Sequence, residues 1–225
     1  MTLAQLTFDL PHRAALGAED FLVSDCNGGA VKLIDAWPRW PDQVQLLIGP
    51  SASGKTHLAR VWQALSGAKA LEPDMLRMDF VDRLETGTAL TVEDADRGAY
   101  QENALFHLIN LARENRLFVL LTARSAPGRW HVKLPDLRSR LNALHAIEIG
   151  SPDDALIRTV MLKHFADRQL DIDPKVLTYL ALRVDRSLAA AAEAVAAVDR
   201  AALATGRKIS RQLINEVIAG ADPVE

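Results

Sequence analysis

Eight consecutive residues limit what this 225-residue chain can become. In Gly49-Pro50-Ser51-Ala52-Ser53-Gly54-Lys55-Thr56, four residues separate two glycines, and Lys-Thr follows. Val44 to Ile48, just before it, is a short apolar run that reads as a buried strand. His57 to Leu65, just after it, reads as a helix with Leu58, Val61, Trp62 and Leu65 on one face. Taken alone, the eight residues would also suit a Gly/Ser turn. Strand, glycine-bearing loop and helix in that order make them a phosphate-binding loop.

The chemistry follows from the residue types. Unpartnered N–H groups of the loop and the helix N-terminus attract a phosphate chain. Gly49, Ser51, Ala52, Ser53, Gly54, Lys55, Thr56 and His57 are therefore the nucleotide-binding candidates. Lys55 can reach terminal phosphates as a point charge, and Thr56 offers Mg²⁺ a hydroxyl oxygen. Ala52 stands where many such loops have glycine. A positive φ there would cost about 1–2 kcal/mol.

Strand and helix patterns alternate up to about Gly150. Asp25 or Asn27 is expected to cap a helix running to about Trp37, which Trp37-Pro38 ends. The tryptophans read as packing residues. Met75, Phe80, Val81 and Leu84 suggest a short helix. Ala89 to Val92 reads as a second buried strand, ending in Glu93-Asp94. Carboxylates at the C-terminal end of such a strand are placed to handle Mg²⁺ and water. A helix over about Tyr100 to Glu114 follows. Leu117 to Thr122 is apolar enough for a central strand, Leu134 to Leu141 starts another helix, and Ala146 to Ile149 is a last short strand. From Ser151 onward no strand signal remains. Four helices are expected there, capped by Ser151, Asp173, Asp185 and Ser210, with the third ending at Gly206. The expected organisation is an extended arm over 1–12, an α/β domain over 13–150 and a helical lid over 151–225.

In the arm, Leu6, Phe8 and Leu10 alternate and would share one side of an extended segment. That pattern suits an edge strand or a linear motif docking on a partner. The composition is 49% hydrophobic and 24% charged, with net charge −3. This argues against a chain that grips nucleic acid over its whole surface. Cys26 is the only cysteine, which excludes an intrachain disulfide and a cysteine-rich metal site. Without a run of transmembrane length or a signal-peptide pattern, the expected setting is the cytoplasm, with no membrane partner.

An α/β nucleotide domain followed by a helical lid resembles the AAA+ ATPases. Within them the chain resembles DnaA, and more closely the short DnaA-related Hda family. The resemblance rests on Gly54-Lys55-Thr56-His57-Leu58, Leu105 to Asn110, Leu134 to Leu141, and Asp185-Arg186-Ser187-Leu188. It implies a P-loop NTPase sheet flanked by helices, ADP or ATP as ligand, and Mg²⁺. It implies that Glu93 and Asp94 are the Mg²⁺-handling acidic pair, that Arg140 is an arginine finger for a neighbouring subunit, and that Arg186 senses the γ-phosphate. It also implies that Gln5, Leu6, Phe8 and Leu10 dock on the DNA polymerase sliding clamp. The expected activity is weak ATP hydrolysis at most, with stimulation of hydrolysis on DnaA. The alternatives are a stand-alone ATPase that loads or remodels a replication partner, and a small-molecule kinase. The chain departs from the pattern at Ala52, at Glu93 in place of the usual aspartate, and at Arg124-Ser125, which leaves Thr122 as a substitute for the usual sensing residue. The expected absence of a DNA-binding domain, read with the net acidity, argues against specific DNA binding. Head-to-tail assembly of AAA+ relatives makes a homodimer one expected state.

Overall fold

The computed structural model describes residues 12–13 and 21–219. The segment Gln5 to Leu10, expected to dock on a partner, lies outside the described residues. The chain divides into two compact units, one over His12–Gly150 and one from Ser151 onward.

In the first unit, β1 (His12–Arg13) pairs antiparallel with β2 (Phe21–Leu22). Helix α1 (Gly28–Ala36) follows, then β3 (Val44–Ile48) and α2 (Lys55–Ser66). Next come β4 (Lys69–Leu71), α3 (Met78–Val81), β5 (Ala89–Val92) and α4 (Glu102–Asn115). The unit closes with β6 (Phe118–Ala123), α5 (Pro135–Asn142) and β7 (Ala146–Glu148). Strands β3 to β7 form one parallel sheet in the order β4-β5-β6-β3-β7.

The alternation of side chains explains why β3, β5 and β6 read as mostly apolar runs, interrupted only by Gln45, Thr91 and Thr122. Val44, Leu46, Leu90, Val92, Val119 and Leu121 face a core that includes α4 and α5. Leu47, Ala89 and Leu120 face the opposite core, with α1 and α2. A parallel strand covered on both faces favours apolar side chains on both its faces. Trp62 is fully buried in the second core and stacks on Trp40 with ring centroids 4.8 Å apart. The tryptophan indoles are packing groups, as the sequence suggested, and Trp40 also donates its indole N–H to the Leu33 carbonyl.

Two details of this unit differ from the sequence reading. Asn27 precedes α1 but does not cap it. Its side chain instead accepts the Ser24 N–H and donates to the Leu22 carbonyl, tying the turn before the helix to β2. Lys69–Leu71 is a strand that the sequence reading did not single out. Its pattern is exposed-exposed-buried, so a short strand at the sheet edge carries almost no apolar signal.

The second unit is helical: α6 (Asp154–Asp167), α7 (Pro174–Ala181), α8 (Leu188–Thr205) and α9 (Arg211–Ala219). Its core includes Ile157, Met161, Phe165, Leu177, Leu180, Val195, Val198 and Ile214. Asp173 caps α7 and Ser210 accepts from Leu213 N–H, as expected. Two expected caps shift. Asp153, not Ser151, caps α6 by accepting the Leu156 N–H at 2.7 Å. Ser187, not Asp185, caps α8 by accepting the Ala190 N–H at 3.0 Å. In both cases the residue three positions before the accepted N–H wins, because a cap side chain reaches only the N2 or N3 amide. Among the described residues, no helix is long and apolar enough to cross a membrane.

Candidate nucleotide site

Strand order places the site. β3 lies between β6 and β7, so the chain leaving β3 emerges where the sheet's winding direction reverses. In parallel sheets that crevice is where ligands bind. The loop backbone is anchored on both sides. Gly49 donates its N–H to the Ala123 carbonyl, and Ile149 donates to the Ile48 carbonyl.

The loop then turns sharply. Gly49 is obligatory, because a Cβ there would lie 2.5 Å from the Ile149 carbonyl oxygen and 2.8 Å from Ser53 Oγ. Gly54 adopts φ 99°, a conformation that favours glycine. Ala52 has φ 57°. The alanine therefore sits in the left-handed region that costs an L-residue about 1–2 kcal/mol. Ser53 is buried, and its hydroxyl has no hydrogen-bond partner. A close-packed glycine, a left-handed alanine and an orphaned hydroxyl are a poor arrangement for stability. They fit a cradle shaped for an anion.

Lys55 opens α2 and is buried. Its ammonium donates to the Gly49 carbonyl at 2.8 Å and the Pro50 carbonyl at 2.7 Å. Burial pushes its pKa down, Asp94, Asp96 and Glu93 push it back up, and Arg124 pushes it down. The side chain is thus folded over its own loop rather than extended as a mobile charge. Thr56 donates its hydroxyl to Glu93 Oε2 at 2.6 Å. The two residues expected to serve Mg²⁺ are 37 positions apart in sequence, and the fold joins them. Mg²⁺ keeps several waters and takes few protein ligands, so one hydroxyl and one carboxylate beside a phosphate cradle fit it. Among the described residues, no group of three or more His, Cys, Asp or Glu forms a larger metal cluster.

The register of the sheet explains the acidic pair. Val92 pairs with Leu121, which sets the next residues of β5 beside Thr122. Asp94 has φ 49° and donates its N–H to Thr122 Oγ1 at 3.1 Å. Asp94 Oδ2 lies 3.0 Å from Arg97 and 3.8 Å from Arg124. Arg124 donates its backbone N–H to Asp96 Oδ2 at 3.0 Å. Arg97 and Asp96 were not singled out in the sequence. The i,i+3 spacing of Asp94 and Arg97 was the available signal, and a single 3₁₀ turn, Ala95–Arg97, brings them together.

Arg140 is exposed in the last turn of α5, and no hydrogen bond or ion pair holds it among the described residues. Arg138, two positions earlier, donates to the Val132 carbonyl. Arg186 belongs to the helical unit, where it pairs with Asp154 at 3.0 Å. Both partners are well exposed, so the pair contributes about 0–1 kcal/mol. Cys26 lies 3.0 Å from Ser24 Oγ beside α1, consistent with a packing role.

No family model matches the chain. Over 183 residues it is 24% identical to an uncharacterized protein of Haemophilus influenzae, covering 76% of this chain and 79% of that one. Over 163 residues it is 27% identical to the chromosomal replication initiator protein DnaA of Rhizobium johnstonii, covering 60% of this chain and 33% of DnaA. Domain III of Thermotoga maritima DnaA matches with a TM-score of 0.71 at 16% identity, over 90% of this chain and 95% of that one. The RuvB Holliday junction branch migration motor of Thermotoga maritima matches with a TM-score of 0.68 at 18% identity, over 86% and 67%. AMPPCP-bound DnaA from Aquifex aeolicus matches with a TM-score of 0.66 at 17% identity, over 80% and 63%. The parallel sheet, its strand order and these likenesses together give the chain the AAA+ fold shared with DnaA domain III and RuvB.

Proposed function

We propose that this chain is an adenine-nucleotide-binding regulator of replication initiation. It docks on the sliding clamp and stimulates ATP hydrolysis on DnaA through Arg140. The observation that carries the reading is the contrast between two arginines of α5. Both are exposed, but Arg138 donates to the Val132 carbonyl, whereas Arg140 has no hydrogen bond or ion pair among the described residues. A guanidinium presented to solvent on a rigid element is available to a neighbouring molecule's phosphates. In GTPases such a finger supplied in trans is worth about 10³–10⁵ in rate.

The chain's own nucleotide, ADP or ATP, binds with its phosphates against the loop amides and Lys55. Thr56 and Glu93 hold Mg²⁺, Asp94 addresses water, and Arg186 senses the γ-phosphate. The cradle around Gly49 and the Thr56–Glu93 bond support this, as does the shared fold of a DnaA that binds AMPPCP. Residues 5–10 supply the clamp contact, with the cytoplasm as the setting.

The test is DnaA ATP turnover on clamp-loaded DNA with wild type and Arg140→Ala. The variant is expected to lose most of the stimulation; equal stimulation by both would sink the finger assignment. Deleting residues 1–10 is expected to abolish clamp pull-down. A second reading, a stand-alone ATPase that loads or remodels a replication partner, draws on the likeness to the RuvB motor. It requires substantial turnover by the purified chain, lost in Lys55→Ala, and background turnover excludes it.

A further inference from the structure

The chain carries a net charge of −3, yet residues 124–140 hold five cations, Arg124, Arg129, Lys133, Arg138 and Arg140, against one acid, Asp136. The fold turns these cations outward. Between β6 and α5, Trp130 and Val132 are buried while Arg129, His131 and Lys133 are exposed. The segment is also fixed. Trp130 donates its indole N–H to the Ser125 carbonyl at 2.8 Å, and the Glu102 carboxylate accepts the Lys133 and Leu134 N–H groups. Helix α5 sorts the remaining charges. Leu137 and Leu141 are buried, so at about 3.6 residues per turn Arg138 and Asn142 leave on one flank, and Asp136 and Arg140 on the other. Contacts agree: Arg138 donates to the Val132 carbonyl, and Asn142 Oδ1 lies 3.8 Å from where a Cβ on Gly128 would sit. Arg129, His131, Lys133 and Arg138 therefore line one ridge, with Asp136 on the opposite flank. Among the described residues, no ion pair neutralises Arg129, Lys133 or Arg138.

We infer that this ridge binds the phosphate backbone of duplex DNA without reading its sequence. Fixed cations set apart from the chain's acids suit a polyanion. A protein partner would call for an apolar or aromatic anchor at the centre of the contact. Among the described residues, the exposed large apolar side chains are Met75, Met78, Leu162, Leu182 and Leu203. None belongs to the ridge, and Met78 only borders it, through a cleft shared with Lys133. A single strand would call for an exposed aromatic ring on which bases stack, and Trp130 is buried. A duplex backbone needs only charge and donors, and such contacts position a protein without specifying bases. The ridge lies on the flank of α5 away from Arg140, so the inference stands whether or not Arg140 serves a second protein.

The experiment is fluorescence anisotropy of the full chain with two labelled duplexes of unrelated sequence over a range of salt concentrations. Both duplexes are expected to bind alike, with log K falling against log salt at a slope of about −3, since each phosphate contact contributes about −0.9. Arg129→Glu/Lys133→Glu is expected to weaken binding at least about tenfold and to reduce that slope by about two, one for each lost contact. Arg200→Glu/Lys208→Glu makes the same change of charge on exposed residues of the helical unit and is expected to leave binding within about twofold. The charge-conserving swap Arg129→Lys/Lys133→Arg is expected to keep the affinity, which separates a lost contact from a lost fold. Equal losses in the two charge reversals overturn the ridge, because net charge alone would then set the binding. Loss in the charge-conserving swap overturns it as well. So does a wild type that binds neither duplex at low salt, prefers one sequence, or binds a single strand more tightly. Displacement of the duplex by polyglutamate more readily than by unlabelled duplex would make the partner an acidic protein and overturn the DNA assignment.

Discussion

The two units of this chain bury different things. Among the described residues, the buried polar and charged side chains are Asn27, Gln45, Ser53, Lys55, Thr91 and Thr122, all before Gly150. The helical unit buries apolar side chains instead, around Phe165 and Met161. Burying a polar group without a partner costs roughly 1–3 kcal/mol. A unit that keeps Ser53 and Thr91 hydroxyls unpartnered in its interior is therefore not arranged for stability alone. The helical unit shows what this chain's packing looks like in a unit without the glycine-bearing loop. The difference teaches where to look for function: in the unit whose interior is chemically expensive.

That contrast can be broken in three ways. Phe165→Ala removes a fully buried ring from the helical core. It is expected to lower stability by about 3–5 kcal/mol in urea unfolding. A much smaller loss would mean that the helical core is not tightly packed. Lys55→Met is expected to weaken nucleotide binding by roughly the 1.5–3 kcal/mol of a charged hydrogen bond, read by titration. Its stability should hold or rise. Burial holds the Lys55 pKa below 10.5, so the folded state disfavours the ammonium. That penalty is fully present below the lowered folded pKa and is relieved as pH rises toward 10.5, so stability rises with pH in this window. Methionine removes both the penalty and the slope. A destabilised Lys55→Met would show that the lysine serves the fold rather than a ligand. The smallest effect is expected from Thr91→Val. Its hydroxyl is buried without a partner, so an apolar side chain of the same shape should be neutral or stabilising by up to about 1 kcal/mol. A clear loss in a thermal melt would mean the hydroxyl is satisfied after all.

Much of the fold was legible because the signals were local. Val44–Ile48 and Ala89–Val92 are strands where the sequence reading placed them, and Phe118–Ala123 is one residue later than the expected Leu117 to Thr122; two-sided burial makes all three mostly apolar. The edge strand Lys69–Leu71 left no such trace. The caps of α6 and α8 moved because several polar residues compete near each helix start, and amide geometry chooses between them. In the site, the loop could be read from its spacing, and the acidic pair from its place after a strand. The ion pairs of Asp94 could not be read, because Arg97 and Arg124 look like ordinary surface cations until the sheet places them.

By itself the sequence determined the alternation of strands and helices, the glycine-bearing loop between β3 and α2 and the change of texture at Ser151, since each depends on residues close together in the chain. Only the tertiary structure decided that Thr56 meets Glu93, that Asp94 is held by two arginines, and that Arg138 is tied while Arg140 is not. Strand order and register bring residues tens of positions apart within hydrogen-bond reach, and no spacing rule along the chain encodes that distance.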